Sequence, residues 1–350
     1  MKERRKSRPV KVGSVIVGGG FPVSVQTMLK DPLLKDLTSI KNRLDHLYKM
    51  GCEIGRFSVL DAEAAERLNK LSQISPIPLV ADIQYDYKLA LKCMEADIAK
   101  IRINPGNIGQ EWKVKEVLNM AAGKGLPIRI GINGGSLPTS LRKEKDKAVA
   151  MVKAAEMELE ILAKQNFHNV IFSLKSSNVD ETIRANIEFG KLCDFPLHLG
   201  ITEAGALIPG VVKSSIGFHK MFSEGLGDTI RVSLADTPEN EVITGKEILR
   251  VAGLTKRGIN LVSCPRCGRT TFDRNFEFLK KISDYCETVD KDATVAVMGC
   301  AVNGPGEAKT ADLGISGVGN EIIIYKDGKI LKRSSLDIAF DQFKSEIDAL

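Results

Sequence analysis

Aromatic side chains are scarce in this 350-residue sequence, at 5% with a single Trp. Proteins that grip single-stranded nucleic acid stack bases on such rings, so that class of partner is disfavoured. Histidine is scarcer still: His46, His168, His198 and His219 are all there are, and none lies in the last third of the chain. No apolar run reaches the length that spans a bilayer. The basic start, residues 1–9, lacks the apolar core of a signal peptide, so the chain reads as cytoplasmic. Seven cysteines, an odd number, argue against a disulfide framework. What remains is ordinary globular composition, 43% hydrophobic and 27% charged, with a net charge of +6 that mildly favours anionic ligands. The length suits a barrel-sized domain followed by a smaller one.

The first part of the chain alternates short apolar runs with helical patterns. Runs at 23–26, 54–59, 78–81, 98–103, 127–132, 169–174, 196–199 and 228–232 are rich in Ile, Val and Leu, as strands buried on both faces are. Between them, Ile40, Leu44, Leu47 and Tyr48 form one helical stripe, and Val149, Val152, Ala155, Leu159 and Leu162 another. Eight strands, each followed by a helix, predict an α/β fold of the (β/α)8 barrel type over residues 1–254; an open doubly wound sheet is the alternative.

Polar residues cluster at the predicted C-terminal ends of these strands. They are Gln26, Arg56 and Ser58, Asp82 and Gln84, Arg102 and Asn104, Arg129 and Asn133, Ser173 and Lys175, His198 with Thr202 and Glu203, and Arg231 with Ser233. In a barrel all of them converge on one mouth, where active sites of this fold sit. Several Arg and Lys around one cavity are costly unless an anion binds there. A diphosphate suits the set, because planar guanidinium groups clamp phosphate oxygens in pairs while Asn and Ser bond the rest. Lys213 begins the next helical pattern and adds a charge at its expected N-terminus. The alternative for any one of these residues is an internal salt bridge across the rim. Gly18-Gly19-Gly20 precedes the first strand and lacks the context of a nucleotide-binding turn.

The pattern changes at Thr255-Lys256-Arg257-Gly258, a basic, Gly-containing joint. Residues 259–350 read as a small α+β domain. It has a helix at 272–282 with Phe276 and Leu279 inward, strands at 295–298, 313–315 and 322–325, an Asp327-Gly328 hairpin turn, and a closing helix with Leu336, Phe340, Phe343 and Ile347 on one face. Three cysteines punctuate it. Ser263-Cys264-Pro265-Arg266-Cys267-Gly268 puts two sulfurs within reach of one metal or cluster, and Gly299-Cys300-Ala301-Val302-Asn303-Gly304-Pro305-Gly306-Glu307 puts a third beside Gly-rich backbone. No His lies here to complete a tetrahedral zinc site. Three thiolates would leave one iron of a [4Fe–4S] cluster open or bound by another ligand, for which Glu307 is the nearby candidate. Cys52, Cys93, Cys193 and Cys286 read as small buried apolar residues. A barrel phosphosugar enzyme with a structural zinc domain, and a binding protein with a Cys-rich nucleic-acid module, are the competing classes.

The motifs Val25-Gln26-Thr27-Met28, Arg102-Ile103-Asn104-Pro105-Gly106-Asn107, Leu197 to Gly205, Gly225 to Ser233, Cys264-Pro265-Arg266-Cys267 and Gly299 to Glu307 together resemble bacterial 4-hydroxy-3-methylbut-2-enyl diphosphate synthases over essentially the whole chain. One segment departs: Leu29-Lys30-Asp31-Pro32 stands where that family has a Thr/Asn-rich stretch. The resemblance implies a barrel followed by a cluster domain, with Cys264, Cys267, Cys300 and Glu307 as ligands of a [4Fe–4S] cluster. It implies reductive ring opening of 2-C-methyl-erythritol 2,4-cyclodiphosphate, with flavodoxin or ferredoxin as electron donor and a head-to-tail homodimer. On that reading Arg56, Arg102, Asn104, Arg129, Asn133, Lys175, Lys213, Arg231, Ser233 and Ser263 hold the substrate, and Asp82, Glu203 or His198 relays a proton.

Overall fold

The computed structural model describes residues 2–264, 267–270, 276–300, 302–318 and 321–350. Pro265, Arg266 and Ala301 of the cysteine motifs, and the start of the helix expected at 272, lie outside the described residues. The chain divides into two compact units, Met1–Thr255 and Lys256–Leu350.

The first unit is a (β/α)8 barrel. Its strands are β1 (Ser24–Met28), β2 (Ile54–Ser58), β3 (Leu79–Ile83), β4 (Lys100–Ile103), β5 (Ile128–Asn133), β6 (Val170–Lys175), β7 (His198–Leu199) and β8 (Thr229–Ile230). All pairings are parallel: β1 to β6 pair in sequence, β8 pairs with both β1 and β7, and a single bridge from Phe172 to Leu197 closes β6 on β7. Several helices start where an Asp follows a strand. Asp61 accepts the N–H of Ala64 at 2.7 Å, and Asp36, Asp86 and Asp146 cap their helices in the same way, satisfying donors the first turn leaves free. The outward strand residues, such as Ile101, Ile103, Ile128 and Ile130, join the helices in one large apolar core.

Some expectations shift. β1 runs on to Met28, so Gln26 lies mid-strand inside the barrel rather than at the mouth. Tyr48 is exposed, and the helix Lys147–Lys164 buries Ala148, Met151, Ala155 and Leu162, a face turned one residue from the one expected. Its alanines let that helix lie close to the sheet. A hairpin of Val10–Val12 and Val15–Val17, not anticipated, packs its valines against Ile54, Val80 and Ile171. This apolar plug fills the N-terminal end of the barrel.

The second unit is a five-stranded mixed sheet: β9 (Ile259–Ser263), β10 (Ala293–Met298), β11 (Leu313–Val318), β12 (Glu321–Lys326) and β13 (Lys329–Ser334), paired in that order. β9, β10 and β11 run parallel, and β12 and β13 are antiparallel. Asp327 and Gly328 turn the last hairpin with φ of 49° and 76°. The helices Glu277–Cys286 and Leu336–Asp348 cover one face through Phe278, Ile282, Cys286, Ala339, Phe343 and Ile347. Phe276 is exposed at the start of its helix, and Leu336 is exposed as well, so Phe278 and Ala339 hold the places expected of them. The short helix Gly304–Thr310 lies on the other face.

Candidate active site

The barrel interior is polar above its apolar plug. Alternation along β4 turns Lys100 and Arg102 inward while Ile101 and Ile103 face the helices. The same alternation presents Arg56, Asp82, Arg129, Ser173 and Lys175 to the interior. A cavity of about 160 Å³ opens at the C-terminal ends of the strands. It is lined by Arg56, Asp82, Gln84, Arg102, Arg129, Asn133, Ser173, Lys175, Ile201, Thr202, Arg231 and Ser233. Five cationic side chains therefore face one carboxylate.

That carboxylate is shared. Asp82 Oδ1 accepts from Arg102 Nη1 at 2.8 Å and from Gln84 Nε2 at 3.0 Å, and Asp82 Oδ2 stands 3.7 Å from Arg56 Nε. Burial pushes the Asp82 carboxyl up, but Arg56, Arg102 and Arg129 outweigh it and hold it below the usual carboxylate range. Arg231 has its own partner, since Glu241, wholly buried, accepts from its Nε at 3.0 Å and its Nη2 at 2.6 Å. Glu241 also accepts from Thr27 Oγ1 and from the N–H of Leu234.

Arg129 and Lys175 have no ion pair among the described residues. Arg129 is 1% exposed, and its Nε and Nη1 have no hydrogen-bond partner among the described residues. Burial, followed by Arg56 and Arg102, pushes its guanidinium well down from the ordinary arginine value, with Asp82 opposing. Burial and then Arg129 likewise push the Lys175 amine down, and burial brings Arg56 to about 10. Two glycines make room for this crowd. A Cβ at Gly131 would stand 2.6 Å from Arg102 Nε, and one at Gly200 would stand 2.6 Å from Lys175 Nζ.

Of the other anticipated residues, Asn104 is buried off the cavity, its Nδ2 donating to Ser136 Oγ at 2.8 Å and tying the β4 loop to the β5 loop. His198 is wholly buried inside the barrel, and both ring nitrogens lack partners; burial and then Lys175 push it well below the usual histidine value. Glu203 is exposed on the loop after β7, with φ of +52°. Lys213 departs from expectation. The helix begins at Leu207, after the left-handed turn at Gly205, so Lys213 sits in its second turn and outside the cavity lining.

In the second unit, β9 and β10 are parallel neighbours, with Ser263 level with Val297. Their ends therefore bring Ser263-Cys264 and Gly299-Cys300 to one edge of the sheet. The N–H of Gly299 donates to Cys264 Sγ at 3.2 Å. The backbone N–H groups of Val302 and Asn303 hold the Cys300 thiol below its ordinary pKa. Cys267 is exposed, and Glu307 is exposed in the first turn of Gly304–Thr310. No three His, Cys, Asp or Glu side chains among the described residues already converge on a metal position. Thiols gathered at one sheet edge and supplied with N–H donors nevertheless fit an iron–sulfur group in donor chemistry. Cys52, Cys93 and Cys286 are buried, each thiol pushed up to about 12 chiefly by burial.

Residues 7–246 match the GcpE TIM-barrel domain, and residues 260–349 match the GcpE protein C-terminal domain. The chain belongs to the GcpE family. A GcpE relative from Treponema denticola is 48% identical over 349 residues, covering 93% of this chain and 90% of that protein. Another, from Maridesulfovibrio salexigens, is 46% identical over 351 residues, covering 99% and 98%. Both are named 4-hydroxy-3-methylbut-2-en-1-yl diphosphate synthase (flavodoxin). Among solved structures, the Yersinia pestis dihydropteroate synthase aligns with a TM-score of 0.52 at 13% identity, covering 70% of this chain and 98% of that one. The sialic acid synthetase of Leptospira borgpetersenii aligns at 0.51 and 14%, covering 71% and 90%. At such identities the likeness is one of fold. No helix among the described residues is long and apolar enough to cross a membrane.

Two interior residues of this GcpE barrel escaped the sequence reading. Lys100 looks like a strand-flanking lysine, and only the Lys-Ile-Arg-Ile alternation hints that it faces inward. Glu241 reads as an ordinary acidic residue in a helix's first turn.

Proposed function

We propose that the protein is a 4-hydroxy-3-methylbut-2-enyl diphosphate synthase. It opens the ring of 2-C-methyl-erythritol 2,4-cyclodiphosphate with two electrons and two protons and releases one water. The observation that carries this reading is the cavity of five cations facing one carboxylate, inside a chain of this family. Arg129 and Lys175, left without ion pairs, take the diphosphate oxygens, joined by Arg56, Arg102 and Arg231. Asn133, Ser173, Thr202 and Ser233 bond the remaining oxygens. These fixed donors also stabilise the charge that develops on the phosphate oxygen as the ring opens. Asp82 is held as a carboxylate between Arg102 and Arg56, so it orients them and is not the acid. His198 is wholly buried and outside the cavity lining, whereas Glu203 follows the lining residue Thr202 on the exposed loop after β7, so Glu203 delivers the proton for water loss. Asn104 braces the β4 and β5 loops.

Cys264, Cys267 and Cys300, with Glu307, would hold a [4Fe–4S] cluster near Ser263. When bound, it supplies the electrons one at a time. Those electrons come from flavodoxin, the donor in the relatives' names, with ferredoxin the alternative donor. The short joint at 255–258 supports a head-to-tail homodimer, in which the second unit of one chain serves the barrel of the other. Anaerobically purified protein supplied with reduced flavodoxin should convert the cyclic diphosphate to the linear alcohol, read by mass spectrometry. Iron-loaded protein that binds the cyclic ester yet leaves it unchanged would refute the assignment.

A further inference from the structure

Below the cation-lined cavity lies a second polar layer that the proposed chemistry does not use. Lys100 precedes Arg102 by two residues on β4 and so faces the interior one pleat lower. It is wholly buried. Its single described contact is long: Nζ to Gln26 Oε1 at 3.5 Å. Near it are polar atoms without partners among the described residues, namely Gln26 Nε2, Nε and Nη1 of Arg129, and both nitrogens of His198, one a donor and one an acceptor in the neutral ring. The charged and titratable groups facing this layer are Arg56 from β2, Asp82 from β3, Arg102 on the same strand, Arg129 from β5, Lys175 from β6 and His198 from β7. β1 contributes neutral Gln26, and Arg231, just after β8, is neutralised by Glu241. The one nearby carboxylate, Asp82, is already engaged by Arg102 and Arg56.

A buried ammonium in that setting has no counter-ion of its own among the described residues, and its nearest charges repel it. We propose that Lys100 is a positioning residue of the anion cavity, an uncharged amine while the cavity is empty that takes one proton from solvent when the diphosphate binds above it. Burial, then Arg129 and Arg56, already push this amine well down from the ordinary lysine value, in agreement with the geometry. An arriving diphosphate brings two negative charges and offsets most of the positive field around the amine. In a low-dielectric interior that favours the ammonium, which then supports the anion from below and fixes Gln26. The proton comes from buffer and ends on Nζ.

The inference rests on the cavity being the site of the cyclic diphosphate, and its test separates the two. In that ester each phosphorus carries one strongly acidic oxygen and no group titrating near neutrality, so any proton taken up goes to the protein. Full-length, cluster-loaded protein is titrated with the cyclic diphosphate without an electron donor, near about pH 8. Calorimetry in buffers of different ionisation heat then gives the protons bound per site. Wild type should take up about one proton. Lys100→Met, of similar length and uncharged, should still bind but take up almost none. Lys100→Arg, permanently charged, should also show no uptake, and it decides the matter if the Met variant fails to fold. Binding to wild type without uptake, or undiminished uptake in the Lys100 variants through Lys175 or His198, overturns the inference alone. No binding at all overturns the reading of the cavity and this inference with it.

Discussion

Replacing Arg129 by Met separates what the cation ring does for the ligand from what it does for the fold. Arg129 is 1% exposed, has two nitrogens without partners and has no ion pair among the described residues. Its charge is therefore uncompensated while the cavity is empty. Exchanging poorly compensated buried charge for apolar volume typically stabilises a protein by about 1–4 kcal/mol. For a unit of this size each kcal/mol moves Tm by roughly 2–4 °C. The same change deletes charge-assisted hydrogen bonds to the anion, worth about 1.5–3 kcal/mol, or roughly 10- to 100-fold in affinity. Lys175, Arg56, Arg102 and Arg231 remain, so binding weakens without vanishing. Scanning calorimetry of ligand-free protein and titration with the cyclic diphosphate read the two effects. The Met variant should melt higher and bind more weakly. A lower Tm with unchanged affinity would mean that Arg129 serves the fold, and the account of the ring as an anion site would fail.

Asp82 behaves in the opposite way. Its carboxyl is depressed in the folded state, so the stability it contributes is fully present above the unfolded carboxylate pKa of about 3.9 and is lost as pH falls through the lower folded value. Asp82→Asn should lower Tm at neutral pH by removing the counter-charge of Arg102 and Arg56, and the acid side of the Tm–pH curve should flatten. A variant curve parallel to wild type would contradict this. Glu241→Gln should loosen Arg231, its Nε and Nη2 losing their carboxylate, and raise KM for the cyclic diphosphate roughly tenfold. An unchanged KM would show that Arg231 is held by Ser233 alone.

The barrel was legible because its strands are apolar runs broken by inward Arg and Lys at every second place, as in Arg102-Ile103 and Arg129-Ile130. That alternation is also why the site was legible: an inward guanidinium needs an anion. Strand ends were less legible. Gln26 was placed at the mouth because its run looks finished there, whereas pairing with β2 carries β1 on to Met28. Lys213 reads as the start of a helical pattern, but the turn is made earlier at Gly205 and the helix begins at Leu207. Glu241 could not be read because nothing in its helical pattern shows that it turns inward to Arg231 and Thr27, and the valine hairpin at 10–17 because it packs on residues some forty or more positions away, Ile54 among them. In the departing segment Leu29-Lys30-Asp31-Pro32, Lys30 donates to the carbonyls of Leu234 and Asp236, and Asp31 pairs with Arg43, fastening this loop to the one after β8.

The central claim is that thiolates at the ends of β9 and β10 would hold the iron–sulfur group that supplies electrons to an ester bound in the barrel. Oxygen-free preparations of wild type and Cys300→Ser, assayed side by side for iron and for turnover of the cyclic diphosphate with reduced flavodoxin, test it most directly. Wild type should hold about four irons per chain and turn over, while the variant should lose most of both and keep its affinity for the cyclic ester. A Cys300→Ser protein with full iron content and undiminished turnover would contradict the account.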